Sequence, residues 1–424
     1  MDFSLPADLV SYLARLDAFI AAEIAPLQAQ DDNQRFFDHR REWARTDFEG
    51  GGLPRPEWEE LLAEARRRAD RAGFYRFSLP REYGGDGGSN LWMAVIREHL
   101  AAQGLGLHND LQNEHSVVGN FPFIVMMRDF GSPAQKQQFI RGSLDGKVIV
   151  AFGLTEPQHG SDATHMETRA VPETRGVDGW RIDGEKMWTT GMHVATHCVV
   201  FARTSDDVGK AKGITAFLVP TQTPGVKVEE YLWTFNMPTD HPRVSLTNVW
   251  VPDSAVFGAV DYGLPIAQAF VHENRIRQAA SSLGAAVYCI NESVRYARER
   301  KPFGKALAEN QAIQWPLVEL ATQAEMLRQL IRKTAWEMDQ MPHPEVEHRL
   351  SDKVSMCNYW ANRMCCEAAD RAMQVHGGIG YSRHKPFEHI YRHHRRYRIT
   401  EGSEEIQMRK VAAYLFGYAG PKKS

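Results

Sequence analysis

At 424 residues, with 43% hydrophobic and 24% charged side chains, the chain has the composition of a folded protein and the length for two or three packed units, which excludes wholesale disorder and a lone peptide-sized module. Fifty Lys and Arg against 53 Asp and Glu leave a formal charge of -3, so no overall field attracts nucleic acid and an anionic ligand must be met by local groups. The five cysteines form no Cys-x-x-Cys pair; they read as thiols of a reducing compartment and imply no metal.

The amino-terminal stretch MDFSLPADLVSYLARLD places acids and arginines where a secretory leader needs an uninterrupted apolar run, so a cytoplasmic location is expected. Apolar runs such as Val148 to Phe152 stop well short of the ~20 residues of a bilayer span, and no membrane partner is expected. Leu9, Leu13, Leu16 and Ile20 share one helical face, and Leu61, Leu62 and Ala65 begin a second stripe. Between them, residues 31–56 are polar, dotted with aromatics and rich in glycine, and read as a long loop or a short-helix insertion. Residues 1–147 are thus expected to form an N-terminal α-helical domain.

From 148 to 258 the texture changes. Short β-rich runs at 148–154, 197–203, 213–219, 226–232 and 243–251 alternate with Gly, Pro and Asp, which predicts a middle antiparallel β domain rather than βαβ units. Helical periodicity returns over 259–424. One stripe runs Leu283, Ala286, Val287, Ile290, Val294, Ala297; a second runs Ile313, Leu317, Leu320, Ala324, Leu327, Ile331, Ala335; a third runs Met356, Trp360, Met364, Ala368, Ala372 and stops at Gly377-Gly378. Three long amphipathic helices predict a bundle, and Pro316, which must start or bend the second, is expected to kink it. The fold class is therefore α+β.

Six stretches carry the chemistry. Leu79 to Gly85 reads Leu-Pro-Arg-Glu-Tyr-Gly-Gly, and Phe152 to Asp162 reads Phe-Gly-Leu-Thr-Glu-Pro-Gln-His-Gly-Ser-Asp. Gly184 to Gly191 reads Gly-Glu-Lys-Met-Trp-Thr-Thr-Gly; Arg300 to Gln311 holds Arg-Lys-Pro-Phe-Gly and ends on Glu-Asn-Gln. Gln374 to Tyr381 reads Gln-Val-His-Gly-Gly-Ile-Gly-Tyr, a glycine cluster that follows a helix and not a strand, so it is no dinucleotide-binding fingerprint. The last stretch, Tyr397 to Gln407, contains Thr400-Glu401-Gly402-Ser403.

In this order the stretches resemble the signatures of the acyl-CoA dehydrogenase family, from about Leu61 to Phe416. The resemblance implies a four-helix bundle at the carboxy terminus, bound FAD, an acyl-CoA substrate, and a homo-oligomer, tetramer or dimer. It implies flavin contacts at Phe152, Leu154, Thr155, Gly160 and Ser161, with Ser161 also meeting the thioester, and at Trp188, which packs on the ring, and Thr190, which hydrogen-bonds it. A flavin has a flat apolar face and a polar edge, so a strand end with donors followed by a glycine turn suits it. Arg300, Phe303, Gln311, Gln374 and Gly378 are implied to hold the FAD of a neighbouring subunit, a guanidinium being matched to pyrophosphate. Ser403 and Glu405 occupy further cofactor positions, and Arg275 and Gly402 substrate positions.

Glu401 is implied to be the catalytic base. An α C-H of a thioester is a weak acid, which calls for a carboxylate in a poorly solvated pocket, and the glycine beside it lets the chain turn tightly. The sequence departs from the family at Gln158-His159, where small residues are common, at Pro302, at Thr400 and at the acid Glu405. His159 reads as a surface loop residue and Glu273 as a helix-cap acid rather than an alternative base. The basic, histidine-rich run 384–398 lacks interleaved aromatic platforms and a completing carboxylate or thiol, which argues against nucleic acid and metal. The expected reaction is α,β-dehydrogenation of an acyl-CoA to the 2-enoyl-CoA in fatty acid β-oxidation, with an electron-transfer flavoprotein as acceptor. An oxygen-using acyl-CoA oxidase and a flavin-free binding or assembly member of the fold are the alternatives.

Overall fold

A computed structural model describes residues 4–109 and 115–421. The chain forms two compact units. One takes the described parts of Met1–Arg45, Arg55–Asn120 and Asn274–Ser424; the other takes Thr46–Pro54 and Phe121–Glu273.

In the first unit, the helices Ala7–Phe19 and Pro56–Arg71 bury Leu9, Leu16, Leu61, Leu62 and Ala65, the faces that the amino-terminal periodicity marks, in one core with Ile96 of Asn90–Ala102. Ser89 caps the third helix by accepting from Trp92 N at 3.2 Å. The Asp339 carboxylate accepts from Asn90 N (2.8 Å) and Leu91 N (3.0 Å), an anion at the positive end of the helix. Residues 30–44 wind as the short 3-10 turns Gln30–Phe37 and His39–Ala44.

The carboxy-terminal part of this unit is the bundle. Leu264–Glu299, which begins in the other unit, Gln311–Asp339 and His343–His376 are the long helices, and the shorter Phe387–Tyr397 is the fourth. Leu283, Ala286, Leu320, Leu327, Ile331, Cys365, Ala368 and Phe387 meet in its core. Pro316 lies inside Gln311–Asp339, in its second turn, and the helix continues through it. Of the third stripe, Met364, Ala368 and Ala372 lie in the core as expected, whereas Trp360 is 38% exposed and Cys357, Ala361 and Cys365 are buried beside them.

The second unit is built on a sheet. The hairpin β1 (Thr46–Asp47) and β2 (Leu53–Pro54) stands apart from β3 (Val150–Gly153), β4 (Arg169–Pro172), β5 (Gly179–Met187), β6 (His197–Arg203), β7 (Ile214–Pro220), β8 (Val226–Tyr231), β9 (Pro242–Pro252) and β10 (Val256–Phe257). Their order is β10-β7-β6-β4-β5-β9-β8, with β3 on β6. Pairing is antiparallel except that β3 runs parallel to β6 and one β4–β6 bridge is parallel. Besides the two-residue strands β1, β2 and β10, two strands of the main sheet escape the periodicity. β4 is short, and β5 breaks its alternation with a register shift between Ile182 and Gly184. No helix among the described residues is long and apolar enough to cross a membrane.

The histidines of Phe387–Tyr397 pack inward rather than forming a basic face. His389, His393 and His394 are buried; the His389 ring meets that of His39 at a tilt of 32°, centroids 4.7 Å apart. Burial, reinforced by nearby arginines, pulls His39 down to about 4 and His394 to about 3, and holds His389 and His393 well below the ordinary histidine value. Their folded values lie below the unfolded one, so below pH ~6.5 the unfolded chain takes up protons that the native chain refuses. Stability is therefore expected to fall by about 1.4 kcal/mol per pH unit for each such histidine as pH drops from 6.5 toward 5, before most carboxylates titrate. Urea midpoints at pH 7.5, 6 and 5 measure the slope, and His394→Asn should flatten it.

Candidate active site

Two groups of the sequence-marked residues are organised by the structure, one in each unit. In the sheet unit, the first two flavin signatures are locked to each other by a buried ion pair. Lys186 Nζ lies 2.8 Å from Glu156 Oε1, with the side chains 1% and 4% exposed. Lys186 also donates to Leu154 O at 3.3 Å, and the Glu156 carboxylate accepts from Thr168 N at 2.9 Å and Glu167 N at 2.5 Å. Burial pushes the Glu156 carboxyl up, but the Lys186 charge and these donors outweigh it, so the group sits below its usual range. Burial pulls the Lys186 ammonium down against the opposing carboxylate. A main-chain bond from Met187 N to Thr155 O at 2.9 Å completes the join. Sequence reading passed over Glu156 and Lys186 as site residues, although both lie inside the quoted signatures.

Past this join, Trp188 adopts φ 61, a left-handed conformation that an indole-bearing residue rarely takes, and its side chain is 47% exposed. The turn is fixed by Thr190 N on Trp188 O (3.0 Å), Gly191 N on Asp240 O (3.0 Å) and Thr189 N on Pro242 O (3.4 Å). Thr190 Oγ1 meets His241 Nδ1 at 2.8 Å. Leu154 and Thr155 are half-buried, and Gly160 and Ser161 are exposed at the turn that follows. Phe152 stacks on Phe270 of the helix Leu264–Glu299, centroids 4.7 Å apart and planes at 12°. His159 Nε2 lies 3.1 Å from Glu167 Oε1, a pairing within its own loop.

In the helical unit, Glu401 and Gly402 are consecutive left-handed residues, φ 57 and 85, just before the helix Glu404–Leu415, which Ser403 caps. The half-buried Glu401 tolerates this because its carbonyl accepts from Arg275 Nε at 2.9 Å and Nη2 at 2.5 Å. Gln407 Nε2 donates to Gly402 O at 2.7 Å and to Asn358 Oδ1 at 3.0 Å, and Asn358 Nδ2 donates to Arg275 O at 2.9 Å. Arg398 and Glu404 brace the other side with two bonds of 2.9 Å. Burial pulls Arg275 down to about 10, with the Glu401 charge opposing, so it stays cationic at neutral pH. A Cβ on Gly402 would sit 2.8 Å from Arg275 Nη2, at a φ that L residues rarely adopt; only glycine fits there.

Arg275 thus holds the backbone of the candidate base. Asn358 and Gln407, which the sequence reading did not single out, do the same through buried bonds. Asn358 and Asn362, one turn apart on the buried face of an otherwise apolar helix, were the available signal.

The remaining candidates lie in the same unit. The ring of Tyr296 stacks on that of His376, centroids 4.3 Å apart, so the loop of Arg300 and the turn of Gln374 and Gly378 leave neighbouring helix ends. Arg300, Gln374 and Gly378 are exposed, Phe303 stands fully in solvent at φ 55, and Tyr381 is 88% exposed. Gln311 is the first residue of its helix, after the Asn310 cap. Glu405 is exposed beside the buried Glu404, and Glu273 lies within Leu264–Glu299. Among the described residues no three His, Cys, Asp or Glu side chains converge as a metal site.

The donor set fits FAD. A rigidly held, exposed indole beside a threonine hydroxyl suits a flat ring with a polar edge, and an exposed guanidinium at a helix end suits pyrophosphate.

Sequence models of the N-terminal, middle and C-terminal domains of acyl-CoA dehydrogenase match residues 30–147, 151–249 and 261–416. The chain is 32% identical to a 3-(aryl)acrylate reductase of Clostridium sporogenes, over 84% of this chain and 91% of that one. It is 30% identical to the caffeyl-CoA reductase-Etf complex subunit CarC of Acetobacterium woodii, over 84% and 90%. Its fold matches a crystal structure of acyl-CoA dehydrogenase from Geobacillus kaustophilus with a TM-score of 0.76 at 23% identity, covering 98% and 100% of the chains.

Proposed function

Because the chain belongs to the acyl-CoA dehydrogenase family, we propose that it is an FAD-dependent oxidoreductase that converts an acyl-CoA thioester to the 2-enoyl-CoA, with Glu401 as the α-proton base. The observation that carries this reading is the Glu401–Gly402 turn. A carboxylate residue is held in a disfavoured backbone conformation by buried Arg275 and Gln407, and such strain is retained where a side chain must be aimed.

FAD, when bound, supplies a two-electron acceptor for the hydrogen that leaves the β carbon. Glu401 accepts the α proton in the same event, and Arg275 keeps the turn that presents it. Trp188, Leu154, Thr155 and Thr190 hold the ring, and Gly160 and Ser161 meet its edge and the thioester. Arg300, Phe303, Gln311, Gln374 and Gly378 take the pyrophosphate and adenylate portion of a neighbouring subunit's FAD, with Ser403 and Glu405 as further contacts. Phe152 acts through the packing of its strand. Gly402, with Arg275, shapes the substrate end of the turn.

Exposed Phe303, Ile379 and Tyr381, on the segments of Arg300 and Gln374, favour a homo-oligomer, dimer or tetramer, in which they are covered. We place the enzyme in cytoplasmic acyl-CoA metabolism, including β-oxidation, with domains at 1–147, 148–258 and 259–424. An electron-transfer flavoprotein is the assigned acceptor, in keeping with the Etf in the name of the Acetobacterium woodii relative.

The names of both relatives favour one second reading, the same chemistry run toward saturation of a 2-enoyl substrate. The oxidase and flavin-free alternatives find no such support. A panel of acyl-CoAs and 2-enoyl-CoAs, assayed by mass with an artificial electron acceptor, with oxygen alone and with a chemically reduced dye as electron donor, separates them. Loss of two hydrogens only with acceptor supports the dehydrogenase. Hydrogen peroxide without acceptor would make it an oxidase, and turnover of enoyl-CoA alone, with a reduced donor, would make it a reductase.

A further inference from the structure

The Thr190 hydroxyl has a neighbour that the signatures do not include. His241 Nδ1 is 2.8 Å from Thr190 Oγ1 and 3.2 Å from Asp240 Oδ1, with the His241 and Asp240 side chains 15% and 25% exposed. The His241 ring meets Trp188 edge-on, centroids 6.4 Å apart. Its backbone is clamped: Leu232 N donates to His241 O at 2.9 Å, and the residues on either side accept from Gly191 N and Thr189 N.

One ring nitrogen faces both a carboxylate and a hydroxyl. Lone pair against carboxylate is repulsive, so Nδ1 carries the proton and its N-H is shared between Asp240 and Thr190. Thr190 Oγ1 then accepts from His241, and its own proton must go elsewhere. Among the described residues its other partner within reach is Trp188 O at 3.5 Å, the outer limit of a hydrogen bond. Were the tautomer reversed, Thr190 would donate to His241 and have no proton left to offer.

We infer that His241, set by Asp240, is a positioning residue that makes the Thr190 hydroxyl a donor to the ligand lying against Trp188. The inference rests on the reading of that ligand as the flavin ring.

Asp240→Asn tests it, because a neutral amide, which can offer Nδ1 either its N-H or its oxygen, no longer fixes the proton there and does not empty the site. FAD affinity of the full-length protein, read by quenching of flavin fluorescence on titration into apoprotein, is expected to weaken about fivefold to tenfold, the loss of one hydrogen bond. The visible flavin band is expected to shift with it. Thr190→Val should weaken binding by a similar factor, and the Asp240→Asn, Thr190→Val double variant no further, since both remove one interaction. His241→Asn keeps a donor and should stay within about twofold of wild type, whereas His241→Leu should match Asp240→Asn.

Wild-type affinity and spectrum in Asp240→Asn, or fully additive losses in the double variant, overturn the inference. A wild-type protein that takes up no FAD overturns the flavin reading and this inference with it.

Discussion

Glu401→Gln is expected to fold, bind FAD and bind acyl-CoA as the wild type does, and to lose turnover by about ten-thousand-fold, the upper range for removing a general base. The substitution preserves size and every main-chain bond of the turn, because Arg275 and Gln407 bind the carbonyls of Glu401 and Gly402 and not the side chain that changes. What disappears is the ability to accept a proton. Steady-state kcat and KM should therefore split, with kcat collapsing and KM little changed. The matching test of the support is Arg275→Lys, which keeps the charge but cannot place two donors on one carbonyl.

The largest effect on stability is expected at Glu156. Glu156→Leu leaves the Lys186 ammonium fully buried without its counter-charge and should cost about 3–5 kcal/mol. It also frees the main chain on both sides of the flavin signatures, so FAD affinity should fall with stability. Lys186→Met should cost less, since the carboxylate keeps the donors Glu167 N and Thr168 N. The Glu156→Leu, Lys186→Met double variant should recover much of the loss, because it removes the unbalanced charge. Urea unfolding of the four proteins checks the order, and an additive double variant would contradict it.

Much of the fold was legible because it is local. The stripes at 283–297 and 317–335 are set by the 3.6-residue period, and the short, largely apolar run of β7 is marked as a strand by the Gly213 and Pro220 that bound it. β5 was missed because Arg181, Asp183 and Glu185 alternate with a glycine at the register shift, which blurs the two-residue period. The parallel pairing of β3 with β6 was missed because partner choice is not a local property. Trp360 was placed in the core because it keeps the spacing of four with Met364, Ala368 and Ala372, which are buried; the small residues Ala361 and Cys365 extend that buried face while Trp360 falls at its edge.

The candidate site divides in the same way. Glu401, Trp188 and Thr190 are readable as motifs, since their chemistry calls for particular residue types in a row. Their supports are scattered over the chain. Arg275 reaches 126 residues to the Glu401 carbonyl, and Glu156 pairs across 30 residues with Lys186. Only folding brings these partners together.

The direct measurement is the visible absorbance of the bound flavin on anaerobic mixing with acyl-CoAs of graded length. The wild-type protein should bleach with at least one of them within the time of turnover, while Glu401→Gln stays yellow with the same ligand bound. Bleaching of Glu401→Gln at the wild-type rate would remove the base from this turn.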